Sequence, residues 1–294
     1  TDHDWGGEQK EAKVDEVKAA AYRNEAVALA KECDTVIFVG GLNHDYDVEG
    51  ADRKDMKLPY GQDEVIAALL EEVPDTVVVL YAGSPVEMPW LKKAHAVVFS
   101  YYAGMEGGTA IAETLFGRVN PSGKLAETFI KTADQCPAHS IGTFGRKDVV
   151  EYKEGTQVGY RFYDKEETDI NFCFGHGLSY SSFCYENLVV VKQQGDEISV
   201  TVTVKNDSDV DGKETVQLYV AANEGTYAGV HELKKFKKRE IKAGETVQIA
   251  FTLEKMDFAH YDVEQKAFTV KSGTYEIQVG TSSREIRLAK TISL

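Results

Sequence analysis

A glutamate stands inside the run Val48-Glu49-Gly50-Ala51-Asp52-Arg53, with Asp45 and Asp47 just before it. A carboxyl group in a loop can lend and take back a proton when its surroundings tune its affinity for it. Glu49 is therefore a candidate general acid/base, and Asp45, Asp47 and Asp52 are the next candidates on the same loop. Glu87 and Glu106 lie on or just beyond two further turns. Both read as carboxylates near a helix start, where the positive end of the helix dipole favours negative charge.

Positioning these groups falls to an alternation of strands and helices. The apolar segments 35–40, 76–81 and 96–101 read as strands. The segment 76–81, Thr-Val-Val-Val-Leu-Tyr, is a continuous apolar run, as expected of a parallel strand buried on both faces. Helical spacing covers 9–32, with Ala26, Leu29 and Ala30 on one face, then the stretch after Pro59, and a third piece from Gly104 through Phe116. This alternation predicts a parallel sheet covered on both faces. The three rim loops 41–59, 82–85 and 101–108 then follow carboxyl ends of strands, where open α/β sheets bind their ligands. The loop 41–59 is long for a strand-to-helix connection, and loops of that length are usually functional or disordered.

Beyond Tyr185 the period changes to two. Segments 198–204, 215–220, 247–251 and 275–279 alternate apolar and polar residues, separated by Asn206-Asp207, Asp211-Gly212, Ala243-Gly244 and Ser272-Gly273. Short strands at this spacing predict a β-sandwich of fibronectin type III-like form. The expected fold is thus α/β plus all-β: a flavodoxin-like α/β sandwich over 1–130, a connecting segment over 131–183, and a fibronectin type III-like domain over 184–294. Tyr160, Phe162, Phe172 and Phe174 in the connection are expected to be largely buried.

Composition narrows the function. The 294 residues carry 33 basic against 48 acidic side chains, a net charge of −15, which disfavours nucleic acid and anionic membrane surfaces as partners. The basic run Lys234-Lys235-Phe236-Lys237-Lys238-Arg239 sits in an alternating pattern and reads as a solvated strand face. The four cysteines, Cys33, Cys136, Cys173 and Cys184, form no C-x-x-C pair and read as free thiols, with Cys33 packed as a small hydrophobe. The seven histidines lack metal-ligand spacing, and His176 between Gly175 and Gly177 reads as a structural turn. Gly104-Met105-Glu106-Gly107-Gly108 lacks the lysine of a phosphate loop and the spacing of a dinucleotide fingerprint. No cofactor and no metal are expected.

Five segments together resemble the carboxyl-terminal half of family 3 glycoside hydrolases, the β-glucosidase and β-xylosidase family. They are Glu49-Gly50-Ala51-Asp52-Arg53 through Leu58-Pro59; Gly83-Ser84-Pro85-Val86-Glu87-Met88-Pro89-Trp90; Glu106-Gly107-Gly108-Thr109-Ala110 through Leu125; Val158-Gly159-Tyr160-Arg161-Phe162-Tyr163; and Phe174-Gly175-His176-Gly177-Leu178-Ser179-Tyr180. Glu232-Leu233-Lys234-Lys235-Phe236 adds a sixth in the sandwich. Ala126 departs from the proline usual after Gly-Lys-Leu, which should touch only local rigidity.

The resemblance implies a retaining, exo-acting β-glycosidase, with β-glucosides as the leading substrate and β-xylosides or arabinofuranosides as near alternatives. Glu49 would be its acid/base, and Tyr46 and Arg53 would contact substrate. The nucleophilic Asp is expected on a TIM-like barrel outside this chain, as is the opening strand of the α/β domain. Thr1-Asp2-His3-Asp4-Trp5-Gly6-Gly7 is superficially similar to the motif around the family nucleophile but is not given that role. A barrel strand should precede that motif, and the chain runs instead into an α/β helix. Expected partners are a β-linked glycoside and the barrel, with homo-oligomer formation a further option. A cytoplasmic location is expected from the free thiols, with a secreted or periplasmic one as the alternative. The competing reading is a non-catalytic module that binds carbohydrate or scaffolds a partner.

Overall fold

Runs of valine, isoleucine and leucine become three strands. In the computed structural model they are β1 (Ile37–Gly41), β2 (Val77–Tyr81) and β3 (Ala96–Phe99). The described residues are 15–50, 53–144, 148–193, 195, 197–223 and 229–294, so the run 1–7 and the residues Ala51 and Asp52 lie outside them. The strands pair in the order β1-β2-β3, all parallel, with Val39 opposite Val79 and Val79 opposite Val98. The central strand buries Val78, Val79 and Leu80 completely. The expected parallel sheet is present.

Helices α1 (Glu16–Ala30) and α2 (Gln62–Glu72) accompany this sheet. Asp15 caps α1 by accepting the Lys18 N–H at 3.2 Å. α2 buries Ile66, Leu69 and Leu70, the apolar residues at its helical spacing. Leu29 departs from expectation: it faces solvent, and Ala30 is the residue α1 buries. Cys33 is likewise exposed, its thiol donating to the Leu29 carbonyl, not packed as a hydrophobe. The third strand stops at Phe99, because Tyr101 takes left-handed backbone at φ 51° and ends the extended run. Helix α3 (Gly107–Leu115) follows, and then the short α4 (Pro137–Ser140).

The chain divides into two compact units that are interleaved in sequence. One comprises Thr1–Glu113 and Phe129–Ser140, the other Thr114–Thr128 and Ile141–Leu294. Phe129 shows the return to the first unit, packing edge-on against Phe99 of β3 at 4.7 Å.

The second unit contains α5 (Tyr160–Lys165) and strands β4 (Phe183–Lys192), β5 (Ile198–Asn206), β6 (Gly212–Ala222), β7 (His231–Ile241), β8 (Thr246–Leu253), β9 (His260–Asp262), β10 (Ala267–Thr269), β11 (Thr274–Gly280) and β12 (Ile286–Ser293). Sheets β4-β5-β8 and β12-β11-β6-β7 form the sandwich, and β9 and β10 make a separate hairpin. The alternating residues Ile198, Val200, Val202 and Val204 of β5 share one core with Val216, Leu218, Phe251 and Ile277. The fibronectin type III-like expectation holds. The basic run falls on β7, an edge strand, where lysines discourage edge-to-edge pairing.

Residues 114–128 are held to this unit by two neighbouring side chains. The amide of Asn120 donates to Ser181 Oγ at 2.8 Å and to the Asp211 carbonyl at 3.0 Å. Its oxygen accepts from Ser179 Oγ and the Tyr180 N–H. Lys124 donates to the Gly177 carbonyl at 2.9 Å and faces the buried Glu214 at 3.4 Å. Burial pushes the Glu214 carboxyl up, against the pull of Lys124. A Cβ on Gly177 would lie 2.0 Å from the Gly123 carbonyl oxygen, so only glycine fits where these segments cross.

Tyr160 is buried and stacks on Phe174 at 4.5 Å, and its hydroxyl accepts the Leu233 N–H. Phe162, Phe172 and Phe174 are only half-buried, less than the sequence suggested. Charged side chains fix the same region. Asp164 accepts from Arg284 Nε at 2.6 Å and from His231 Nε2 at 3.2 Å. Arg284 also donates to the carbonyls of Thr168 and Tyr163. Burial pushes the Asp164 carboxyl up, but the hydrogen bonds from His231 and Arg284 outweigh it and hold the group below its usual range.

Among the described residues no helix is long and apolar enough to cross a membrane. Among the described residues β1 pairs on one side only, with β2, and its Val39 is 62% exposed. Such edges template pairing with other chains. The isolated chain is expected to self-associate with rising concentration, and Val39→Lys to reduce this. Sedimentation velocity of both proteins is the check. A wild-type chain that stays monomeric at high concentration would contradict the expectation.

Candidate active-site loop

The loop that carries Glu49 is tied at both ends by one side chain. Gln62, at the start of α2, accepts the Gly41 N–H at 2.8 Å. Its amide donates back to the Gly41 carbonyl at 2.9 Å and to the Pro59 carbonyl at 3.0 Å. Gly41 itself has φ 136°, and a Cβ there would lie 1.9 Å from the Tyr81 carbonyl oxygen. Glycine is thus required where β1 passes into the loop. The next N–H, of Leu42, bonds the same Tyr81 oxygen at 2.8 Å.

A tight turn follows. The Asn43 side chain accepts the Asp45 N–H, and its carbonyl accepts the N–H groups of Tyr46 and Asp47. Tyr60, in left-handed backbone at φ 63°, donates its hydroxyl to Asp45 at 3.0 Å and accepts from Asn43 at 3.1 Å. Its ring meets Tyr46 edge-on at 5.2 Å, which fixes Tyr46 beside the turn. Glu49 comes next, exposed, with Gly50 after it at φ 83°.

Two further anchors hold the loop to the neighbouring rim loops. Asp47 accepts the Tyr102 hydroxyl at 2.5 Å. Partial burial and this carboxylate together push Tyr102 up to about 12. Arg53 donates one guanidinium nitrogen to Ser84 Oγ at 2.7 Å and to the Pro85 carbonyl at 3.0 Å. Gly83 lies between the two anchors, where a Cβ would stand 2.8 Å from the Tyr102 ring and 3.0 Å from the Asp47 carboxylate. Glu49, Tyr46 and Arg53 therefore lie on one tethered loop, and Tyr46 and Glu49 bracket Asp47.

The other rim carboxylates behave differently. Glu106 immediately precedes α3, near a helix start as expected, and its carboxylate accepts from Thr109 Oγ1 at 3.2 Å. Glu87 starts no α-helix, contrary to expectation. Only a single 3-10 turn, residues 91–93, follows it. Its N–H bonds the Met56 carbonyl at 2.8 Å, and burial pushes its carboxyl up against the pull of Lys57. His176 stacks on Phe172 at 5.1 Å in a glycine turn, and burial holds it below its usual value. Among the described residues no group of three or more His, Cys, Asp or Glu could hold a metal.

Sequence reasoning missed Gln62, Ser84 and Tyr102. Each lies in or next to a rim loop, yet nothing in its own type or spacing marks it. The tethered carboxylate can exchange a proton with a group brought to it from outside the loop.

Comparison with known proteins places these features in a family. A model described as the glycosyl hydrolase family 3 C-terminal domain matches residues 6–180, and one described as a fibronectin type III-like domain matches residues 214–283. The chain is 43% identical over 273 residues to a thermostable beta-glucosidase B of Acetivibrio thermocellus, covering 92% of this chain and 36% of that protein. It is 38% identical to an exo-alpha-(1->6)-L-arabinopyranosidase of Bifidobacterium longum, covering 93% of this chain and 36% of that one. Among solved structures, the GH3 beta-glucosidase of Bifidobacterium adolescentis superposes with a TM-score of 0.90 at 38% identity, over 98% of this chain and 42% of that one. The chain thus spans little more than a third of the length of these two curated relatives.

Proposed function

We propose, because this chain belongs to glycosyl hydrolase family 3, that it is the part of a retaining, exo-acting β-glycosidase that supplies the acid/base carboxyl group. The observation that carries the reading is Glu49, exposed on a loop beyond the carboxyl end of a parallel strand and tethered at both ends by Gln62. The substrate class is a terminal β-D-glucosyl residue. The β-glucosidase relative supports this, and the arabinopyranosidase relative keeps pentosides as near alternatives.

In the first step an Asp carboxylate on a TIM-like barrel, in another domain or chain, attacks the anomeric carbon. The glycosidic C–O bond breaks, and the Glu49 carboxyl gives its proton to the departing oxygen. In the second step the Glu49 carboxylate takes a proton from water, whose oxygen attacks the same carbon and frees the Asp. The two carboxyl groups must approach to about 5–5.5 Å for this retaining course. Tyr46, steadied by Tyr60, is the proposed sugar contact on the loop. Arg53 is a second, through the part of its guanidinium not spent on Ser84 and Pro85. A cytoplasmic location is a further proposal, supported by four free cysteines.

Intact-mass analysis of the native protein tests this reading. A barrel sequence is expected, either in the same polypeptide or in one that co-purifies and hydrolyses β-glucosides. A monodisperse 32.5 kDa species that binds glycosides without cleaving them would establish a non-catalytic module instead.

A further inference from the structure

We infer that Tyr102 is a positioning residue for Glu49, acting through its hydrogen bond to Asp47. The inference rests on Glu49 being the acid/base and adds what holds that group in place. Among the described residues no hydrogen bond or ion pair restrains the Glu49 side chain itself, and Gly50 beside it sits at φ 83°. Its location is therefore set by the backbone on either side. Asp47, two residues before it, is fixed to Tyr102 on the loop after β3. Arg53, four residues after it, is fixed to Ser84 and Pro85 on the loop after β2.

These anchors differ in robustness. Arg53 spreads its donation over two acceptors, whereas the Asp47 side chain is held by one phenol, its N–H being bonded to the Asn43 carbonyl within the loop. The surroundings are shaped for that phenol. Tyr101 adopts left-handed backbone, which a tyrosine rarely does, immediately before Tyr102. Strain of this kind persists where neighbouring structure over-determines it. Gly83 leaves the space that the Tyr102 ring and the Asp47 carboxylate share. Tyr101 turns its own ring edge-on against Phe99 at 4.9 Å, while Tyr102, next to it, is half-exposed at the rim.

A group that works by placing an acid should matter in proportion to how much the reaction needs that acid. Tyr102→Phe removes only the hydroxyl. On this chain, amides 45–50 are expected to exchange with solvent about tenfold faster, while those of Val78, Val79 and Leu80 and the unfolding midpoint stay unchanged. In the assembled enzyme, kcat for an alkyl β-glucoside should fall about tenfold, with a dinitrophenyl β-glucoside held within about twofold and KM little altered. Asp47→Asn keeps an oxygen that accepts from Tyr102 and should retain loop protection, whereas Asp47→Ala should speed exchange at 45–50 as Tyr102→Phe does. Unchanged exchange at 45–50, or equal losses on both glycosides, would overturn the inference. If Glu49→Gln lacks an acid/base signature, the Glu49 assignment fails by itself. The exchange measurement still decides whether Tyr102 holds the loop.

Discussion

Glu49→Gln in the assembled enzyme is expected to slow hydrolysis of alkyl and sugar β-glucosides by about 10²–10⁴, the usual worth of general acid catalysis. Glutamine keeps the shape of the side chain but has no proton to give at neutral pH. An aryl glycoside with an acidic phenol leaves without protonation, so its first step should suffer far less. The second step then limits turnover, because water no longer meets a base. Azide needs none, and should restore turnover while forming the β-glycosyl azide. Steady-state kinetics on a leaving-group series, with and without azide, gives the answer. Equal losses across the series, with azide inert, would remove Glu49 from the role and turn attention to Asp45, Asp47 and Asp52. Glu87 is a useful control: burial already raises its carboxyl, yet it lies beyond β2, its N–H bonded to the Met56 carbonyl near the far end of the Glu49 loop.

The second large effect is on stability. Asp164 is 9% exposed and receives hydrogen bonds from Arg284 and His231. Asp164→Asn leaves the Arg284 guanidinium, which is 31% exposed, without its counter-charge. Hydrogen bonds to a charged group are worth about 1.5–3 kcal/mol, and solvent around the exposed Arg284 keeps the loss below that of breaking a fully buried pair. The pH dependence has a definite sign. The folded carboxyl is held below its usual range, so its contribution is fully present above the ordinary aspartate value of about 3.9. It is lost as pH falls below that value and through the folded one. Wild type and Asp164→Asn should therefore differ most at neutral pH and converge in strong acid. Hydrogen exchange at the β6 amides reports the second unit specifically. A difference that persists unchanged below about pH 2 would mean that Asp164 acts through packing, not charge.

Much of this was legible in the sequence because it is periodic. The alternation over 198–204 foretold β5, and the unbroken apolar run 76–81 foretold the buried middle strand. The Glu49 loop declared itself by length and by a carboxylate among glycines. What stayed hidden depends on contacts made at a distance. Tyr102 and Asp47 are 55 residues apart, and Arg53 and Ser84 are 31 apart, so no local pattern could pair them. Two tyrosines, Tyr60 and Tyr101, adopt a backbone region that their type disfavours, and only the surrounding structure makes them do so. Leu29 was misplaced for a related reason. Helical spacing assigns a face, but what covers that face is decided by neighbours.

The interleaving of the two units bears on how such a chain could be inherited in pieces. Residues 114–128 belong with the sandwich, yet Phe129–Ser140, which follows them, belongs with the parallel sheet. A gene exchange at any single point between these stretches would separate partners. Cutting before residue 129 would send Phe129, which packs on Phe99, away with the sandwich. Cutting after residue 140 would leave Asn120 and Lys124 on the wrong side, far from Ser181, Asp211 and Gly177. Either recombinant would expose polar side chains or an aromatic face that its new neighbour has no means to satisfy. The two units should therefore travel through evolution as one block.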